Sequence, residues 1–291
     1  LIDLAAAERG WRGVLDTEAN DIEGLIGLRR CCLATDQHDE VERLEDALIS
    51  ELGEDDPRRL EILRDRAVRL TTQGADPSAV RELWESILIA DARNAGARRA
   101  LADLYESEAE WPELEGLLNG WLEHIEEDEK GGVLRRLGLL RVGRLGKTKA
   151  GIEALEGALV QHPGDVDILH GLTGAYEAEG RWTDARTTRE AAAAELEGEA
   201  AVNAFATLAA LAEDKMGDAE GALSYVCKGF SATHDDPRFG DLAERLAAAV
   251  DDWSGPIEAW TVAMTADGEG QADASRVAVH RRLASWHRAQ G

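Results

Sequence analysis

Apolar residues recur every three or four positions along most of the chain. LRRLGLL at 134–140 and IEALEGALV at 152–160 each place them at helical spacing. Polar breaks separate such stretches. QHPGDVD at 161–167 stops one helix with a proline and a glycine and offers Asp165 as the cap of the next. DDPR at 55–58 and DDPRF at 235–239 read the same way. Pro57 and Pro237 stand at early helical positions, where the backbone N–H has no internal partner anyway. Pro112 and Pro256 open further helices in this manner. The pattern predicts helix, short turn and helix, repeated.

The repetition has a measurable period. WRGVLDTEANDIEGLIGLRRCCLA from Trp11 aligns with WESILIADARNAGARRALADLYES from Trp84, a displacement of 73 residues. Trp111, Trp182 and Trp253 follow at steps of 71, and His38 holds the same place 73 residues before Trp111. YESEAEW at 105–111 is therefore an earlier copy of YEAEGRW at 176–182. A second, related segment lies between these marks: QGADPSAVRELWESIL from Gln73, LGKTKAGIEALEGALV from Leu145 and KMGDAEGALSYVCKGF from Lys215. The long period thus contains two units of roughly 34 to 37 residues.

A hairpin of this size has apolar residues on more than one face, which only stacking buries. Seven hairpins are expected, spanning approximately 20–53, 57–90, 94–126, 130–161, 165–196, 199–232 and 238–267. Residues 1–15 read as the second helix of a truncated preceding unit, and 271–289 as a final capping helix. The expectation is one all-α solenoid of antiparallel helix-turn-helix repeats over 1–291.

The unit from Asp165 resembles the tetratricopeptide repeat (TPR) family. Leu172, Tyr176, Gly180, Ala185 and Ala192 stand where that family has its leucine, tyrosine, turn glycine and two small alanines. In the unit around 97–125, Leu101, Ala102, Tyr105 and Trp111 match, while Leu114 and Trp121 replace the small residues. Gly138, Gly146, Ala158 and Pro163 match in the unit between these two. From Phe239 to Thr265 only the frame survives, with Ala247 for the tyrosine and Pro256 for a small residue. The two-unit period and tryptophan-rich turn resemble long arrays from bacterial multi-repeat proteins. The resemblance implies a right-handed superhelix whose first helices line a concave face that binds peptides or protein segments.

Composition agrees with helix. Alanine, leucine and glutamate dominate the 291 residues, and 44% are hydrophobic, enough for a sizeable core. The formal charge of -26 repels nucleic acid and anionic membranes. Cys31, Cys32 and Cys227 form neither an even disulfide framework nor a C-x-x-C pair, so they read as small apolar residues in a reducing, cytoplasmic compartment. No run reaches the apolar length of a membrane span. The chain opens LIDLAAAERGW, without an initiator methionine or a basic-then-apolar leader. It reads as a fragment whose targeting signal is missing.

Catalytic chemistry is hard to place. The seven histidines form no H-E-x-x-H and no cluster of metal-ligand spacing. GRLGKTKAG from Gly143 fails the phosphate-loop spacing, because Gly143 precedes Gly146 by only three residues. No catalytic residue, cofactor or metal is expected. The helix at the C-terminal end is locally basic, with Arg281, Arg282 and Arg288 beside His280 and His287. It suits an acidic partner or the acidic body of a neighbouring copy. Trp11, Trp84, Trp121 and Trp260 read as core. Trp286, near the exposed end, reads as the tryptophan suited to outside contact.

Projected on the repeat frame, the groove-facing positions of first helices include Arg30, Arg99, Asp103, Glu106, Arg136, His170 and Glu177. Their mixed signs suit a polar peptide carrying at least one carboxylate. The leading expectation is a non-catalytic scaffold for a protein or peptide, without nucleic acid or membrane insertion. A self-assembling structural segment, and a regulatory repeat region beside an external catalytic domain, stand as alternatives.

Overall fold

A computed structural model describes residues 3–194, 196–233, 237–266 and 273–289. Among these residues every regular element is helical. The chain divides into two units, Leu1–Glu126 and Glu127–Gly291.

In the first unit, α1 (Leu4–Thr17) precedes three hairpins: α2 (Ile22–Ala34) with α3 (His38–Glu51), α4 (Pro57–Gln73) with α5 (Pro77–Ala90), and α6 (Ala95–Ser107) with α7 (Trp111–Leu122). In the second, a 3-10 turn at Glu127–Glu129 leads into α8 (Lys130–Gly143) with α9 (Thr148–Gln161). Then come α10 (Val166–Ala178) with α11 (Trp182–Ala193), α12 (Gly198–Met216) with α13 (Ala219–Thr233), α14 (Pro237–Val250) with α15 (Ser254–Ala266), and α16 (Asp273–Ala289).

Short polar side chains set the helix starts. Asp21 accepts from Gly24 N–H at 2.7 Å and Asn94 from Ala97 N–H at 3.0 Å. Asp165 accepts from the amides of Asp167 and Ile168 at 3.0 and 3.1 Å. Each bond satisfies an amide that the first helical turn leaves without a partner. Asp235 and Asp236, the capping pair read before α14, lie outside the described residues.

Every hairpin turns through one left-handed residue: Asp36, Gly74, Ala109, Gly146, Gly180, Gly217 and Asp251. Ala109, Gly180 and Asp251 stand 71 residues apart, so the aromatic ruler of the sequence is also a ruler of backbone conformation. Five of the turns close with the same long bond. Gln37, Ala75, Glu110, Arg181 and Asp252 donate their N–H to the carbonyls of Cys32, Leu70, Tyr105, Tyr176 and Ala247. This bond and the left-handed residue before its donor make a Schellman ending.

Small residues let helices approach. A Cβ on Gly138 would lie 2.5 Å from Leu155 Cγ and 3.1 Å from the Gly151 carbonyl. Side-chain loss at this point is what allows α8 and α9 to pack tightly. In the first unit Trp11 of α1 lies over Gly27 of α2, where any Cβ would collide with the indole. Leu25, Leu28, Cys32, Val41, Leu44 and Leu48 continue that core. In the second, Ile152, Leu155, Ile168, Leu172 and Tyr176 form one cluster. Leu208, Val226, Phe230, Phe239 and Trp260 belong to another.

The tryptophan at the C-terminal end is a correction. Trp286 is buried, not presented to solvent. Its indole N–H donates to Glu244 at 3.0 Å, and its ring meets that of Trp260 edge-on at 5.1 Å. Amphipathicity explains this: Leu283 and Trp286 share the inward face of α16. The basic stretch divides in the same way. Arg282 pairs with Asp241 at 2.6 Å and Glu244 at 3.3 Å, while His280, Arg281, His287 and Arg288 stay exposed.

Candidate functional site

The projected residues all lie on first helices, and each unit holds its own set. In the first unit Arg30 ends an exposed position of α2. Arg99, Asp103 and Glu106 are exposed on α6, at spacings of four and three that share one face. Arg30 and Arg99 have no hydrogen bond or ion pair among the described residues. In the second unit Arg136 is half-buried on α8, and His170 and Glu177 are two turns apart on α10.

The structure builds a concavity around two of them. His170 and Glu177 line a groove of about 440 Å³ with Arg189 of α11 and Asn203 and Thr207 of α12. Arg189 donates through Nε and Nη2 to Glu177 Oε1, at 3.0 and 2.7 Å. Both partners are about one-third exposed, so each keeps donor or acceptor capacity toward the groove. Below them Thr173 donates to the Leu169 carbonyl at 2.8 Å and lies 3.0 Å from the Thr188 hydroxyl. These polar groups are internally satisfied, and Ala192, Ala193, Leu196 and Ala204 make the rest of the wall apolar.

Arg189, Asn203 and Thr207 lie outside the projected positions: Arg189 is on a second helix, and Asn203 and Thr207 are on α12, a first helix for which no groove position was projected. One signal was available for Arg189. Steps of 73, 71 and 71 place Glu45, Leu118, Arg189 and Trp260 in one register. Leu118 and Trp260 are core there, at 0% and 1% exposure. A charged residue at that register therefore needs a special partner.

Glu45 has one too. It is fully buried and meets Arg29 Nε at 3.0 Å, Arg69, and Arg66 Nε at 3.9 Å. Arg29 also reaches Asp65 at 3.2 Å. This network ties α2, α3 and α4 together, with every charge opposed by another.

A larger cleft of about 860 Å³ lies along α13 and α15. Leu223, Val250 and Ala259 line its apolar part, with Lys228 among Glu220, Asp252 and Glu258. It contains none of the projected residues. Cys227 sits in its wall, and burial first, then Asp252 and Glu258, pushes the thiol up to about 11. Burial also raises Cys32. Both thiols are therefore protonated at neutral pH, the opposite of an activated nucleophile. Among the described residues no three His, Cys, Asp or Glu side chains are grouped to hold a metal ion. No helix described is long and apolar enough to cross a membrane.

No protein-family model matches the chain, and neither does any curated protein. Solved structures do. A chain in the structure of Naa15/Naa10 bound to HypK-THB is 15% identical, with 91% of this chain and 39% of that one covered and a TM-score of 0.50. A tetratricopeptide repeat protein from Parabacteroides merdae is 15% identical, covering 91% of this chain and 98% of its own, with a TM-score of 0.45. YrrB, a TPR protein with an unusual peptide-binding site, is 18% identical over 70% of this chain and 97% of its own, at 0.48. Paired helices, a tyrosine or its substitute before alternate turns, and small residues where helices cross give this chain an all-α, tetratricopeptide-like helical-repeat fold.

Proposed function

We propose that the chain is a non-catalytic scaffold that binds a protein or peptide segment along its first helices, with the α10–α12 groove as the principal contact. The observation that carries this reading is the Glu177–Arg189 pair inside a concavity whose other walls are largely apolar. A pair of opposite charges that is one-third exposed exchanges partners at low cost. A peptide carboxylate replaces Glu177 on Arg189, and a peptide N–H or cation takes up Glu177. His170, Asn203 and Thr207 supply further polar contacts. Arg136 extends the contact surface along α8, and Arg30, Arg99, Asp103 and Glu106 act as a separate polar face in the first unit. Affinity in such a repeat is spread over several helices.

The larger α13–α15 cleft is the less favoured site. Three carboxylates against one lysine suit a basic guest, but no opposed pair there offers a ready exchange.

The test is selection of peptides from a random library on the 291-residue chain, followed by calorimetric titration. Wild type and an Arg189→Glu variant are compared. The expected result is a tenfold or greater loss of affinity at an unchanged melting temperature. Equal affinity for both proteins would refute the groove.

A further inference from the structure

We infer that α16 is a docking surface for a second copy of this chain, engaged through the acidic turn Glu127–Glu129 of that copy. This contact is independent of the groove described above. α16 is a 17-residue helix whose sequence holds four arginines and one aspartate, in a chain of net charge -26. Its inward face is spent on Leu283, Trp286 and Arg282. Its outward face carries Val277, His280, Arg281, Ala284, His287 and Arg288, all exposed. At the helical period these six fall within roughly 120° of one another. They form a basic stripe with a small apolar centre. Arg288 fixes its Nε on the Ala284 carbonyl at 2.9 Å, and Arg281 has no partner among the described residues.

The complementary surface is held just as firmly. Glu127, Asp128 and Glu129 are exposed on a 3-10 turn. The turn is pinned by Gln161, which donates to the Glu127 carbonyl at 2.5 Å and accepts from Gly131 N–H at 2.8 Å. Among the described residues only Glu127 of the three has a cation beside it, Lys130 at 2.6 Å. Within the second unit, α8 follows this turn directly and packs on α9 and α10, whereas α16 packs on α15. The two surfaces therefore belong to opposite ends of the second unit. A contact between them is head-to-tail between copies, building a ring where its rotation closes and an open chain where it does not.

The electrostatics give the contact a signature. Two bodies of charge -26 repel at long range, while the basic stripe and acidic turn attract at contact. The screening length is about 30 Å at 0.01 M salt, about 8 Å at 0.15 M and about 3 Å at 1 M. Repulsion dominates at the lowest salt. At intermediate salt it is screened while the contact survives, and at the highest salt the contact is lost as well. Association therefore passes through a maximum.

Sedimentation velocity on the 291-residue chain tests this at those three salt concentrations. The expected result is a concentration-dependent rise in mass at intermediate salt that falls away at both extremes. The variants Arg281→Glu/Arg288→Glu and Asp128→Arg/Glu129→Arg each sediment as monomers with unchanged helicity, and mixing the two restores the rise. A monomer at every salt, association that survives either reversal, or a mixture that stays monomeric overturns the proposal. So does a chain that binds polyglutamate through α16 yet never binds its own copy.

Discussion

The phenol of Tyr176 donates to the Glu156 carboxylate at 2.7 Å, joining α10 to the second helix of the preceding hairpin. Seventy-one residues earlier Tyr105 does the same to Glu85 at 3.1 Å. A guanidinium lies over each ring: Arg181 at 4.5 Å and Arg81 at 5.4 Å. The aromatic that marks the repeat in the sequence is thus the bolt between hairpins.

This bond predicts an alkaline transition. Burial, then the neighbouring Glu85, pushes Tyr105 up to about 12 from an ordinary value of 10.0. Burial and Glu156 raise Tyr176, and burial and Glu190 raise Tyr225, in the same direction. The folded state binds these protons more tightly than the unfolded state. Their stabilisation is complete below the ordinary value and is lost as pH rises through the folded one. Phenolate absorbance is expected to stay flat near pH 10 and to rise together with loss of helical circular dichroism. A separate, reversible titration at pH 10 with helicity intact would contradict this.

The turn residues predict a stabilising substitution. Ala109 takes a left-handed φ of 57°, where an L side chain costs about 1–2 kcal/mol. Glycine gives back about 0.5–1 kcal/mol of that in chain entropy. Ala109→Gly is expected to raise the urea midpoint by a small net amount, and Gly180→Ala to lower it.

The buried network predicts an asymmetry. Glu45→Gln takes away the buried charge that Arg29, Arg66 and Arg69 share, leaving Arg69 without its carboxylate, and is expected to cost about 3–5 kcal/mol in chemical denaturation. The register offers a rescue. One step on, the positions of Arg29 and Glu45 are held by Ala102 and Leu118, both fully buried. The double variant Arg29→Ala/Glu45→Leu is expected to recover part of the loss, since it removes both buried charges together while Arg66 keeps Asp46.

Close packing predicts the reverse at Gly138. Gly138→Ala forces its Cβ against Leu155 and is expected to destabilise by about 1–3 kcal/mol, read from the same denaturation curves.

The helical character and turn positions were legible because they depend on local signals. Asp165 caps, Gly180 turns, and the apolar spacing around Leu155 repeats, each within a few residues of chain. What escaped depends on which face of a helix meets its neighbour. Trp286 looked external because it lies near the chain's end, but α16 turns it inward onto Trp260. Arg189 belongs to a second helix, outside the first-helix periodicity, and only the fold brings it to Glu177. The Tyr176–Glu156 bond spans 20 residues and needs the packing angle between hairpins, which no period encodes.

Amide hydrogen exchange with a library-selected peptide bound tests the scaffold reading most directly. Slowed exchange is predicted along α10, the C-terminal half of α11 and the N-terminal half of α12, and it should vanish in the Arg189→Glu variant. Protection confined to α13 and α15, or no change on any helix, would contradict it.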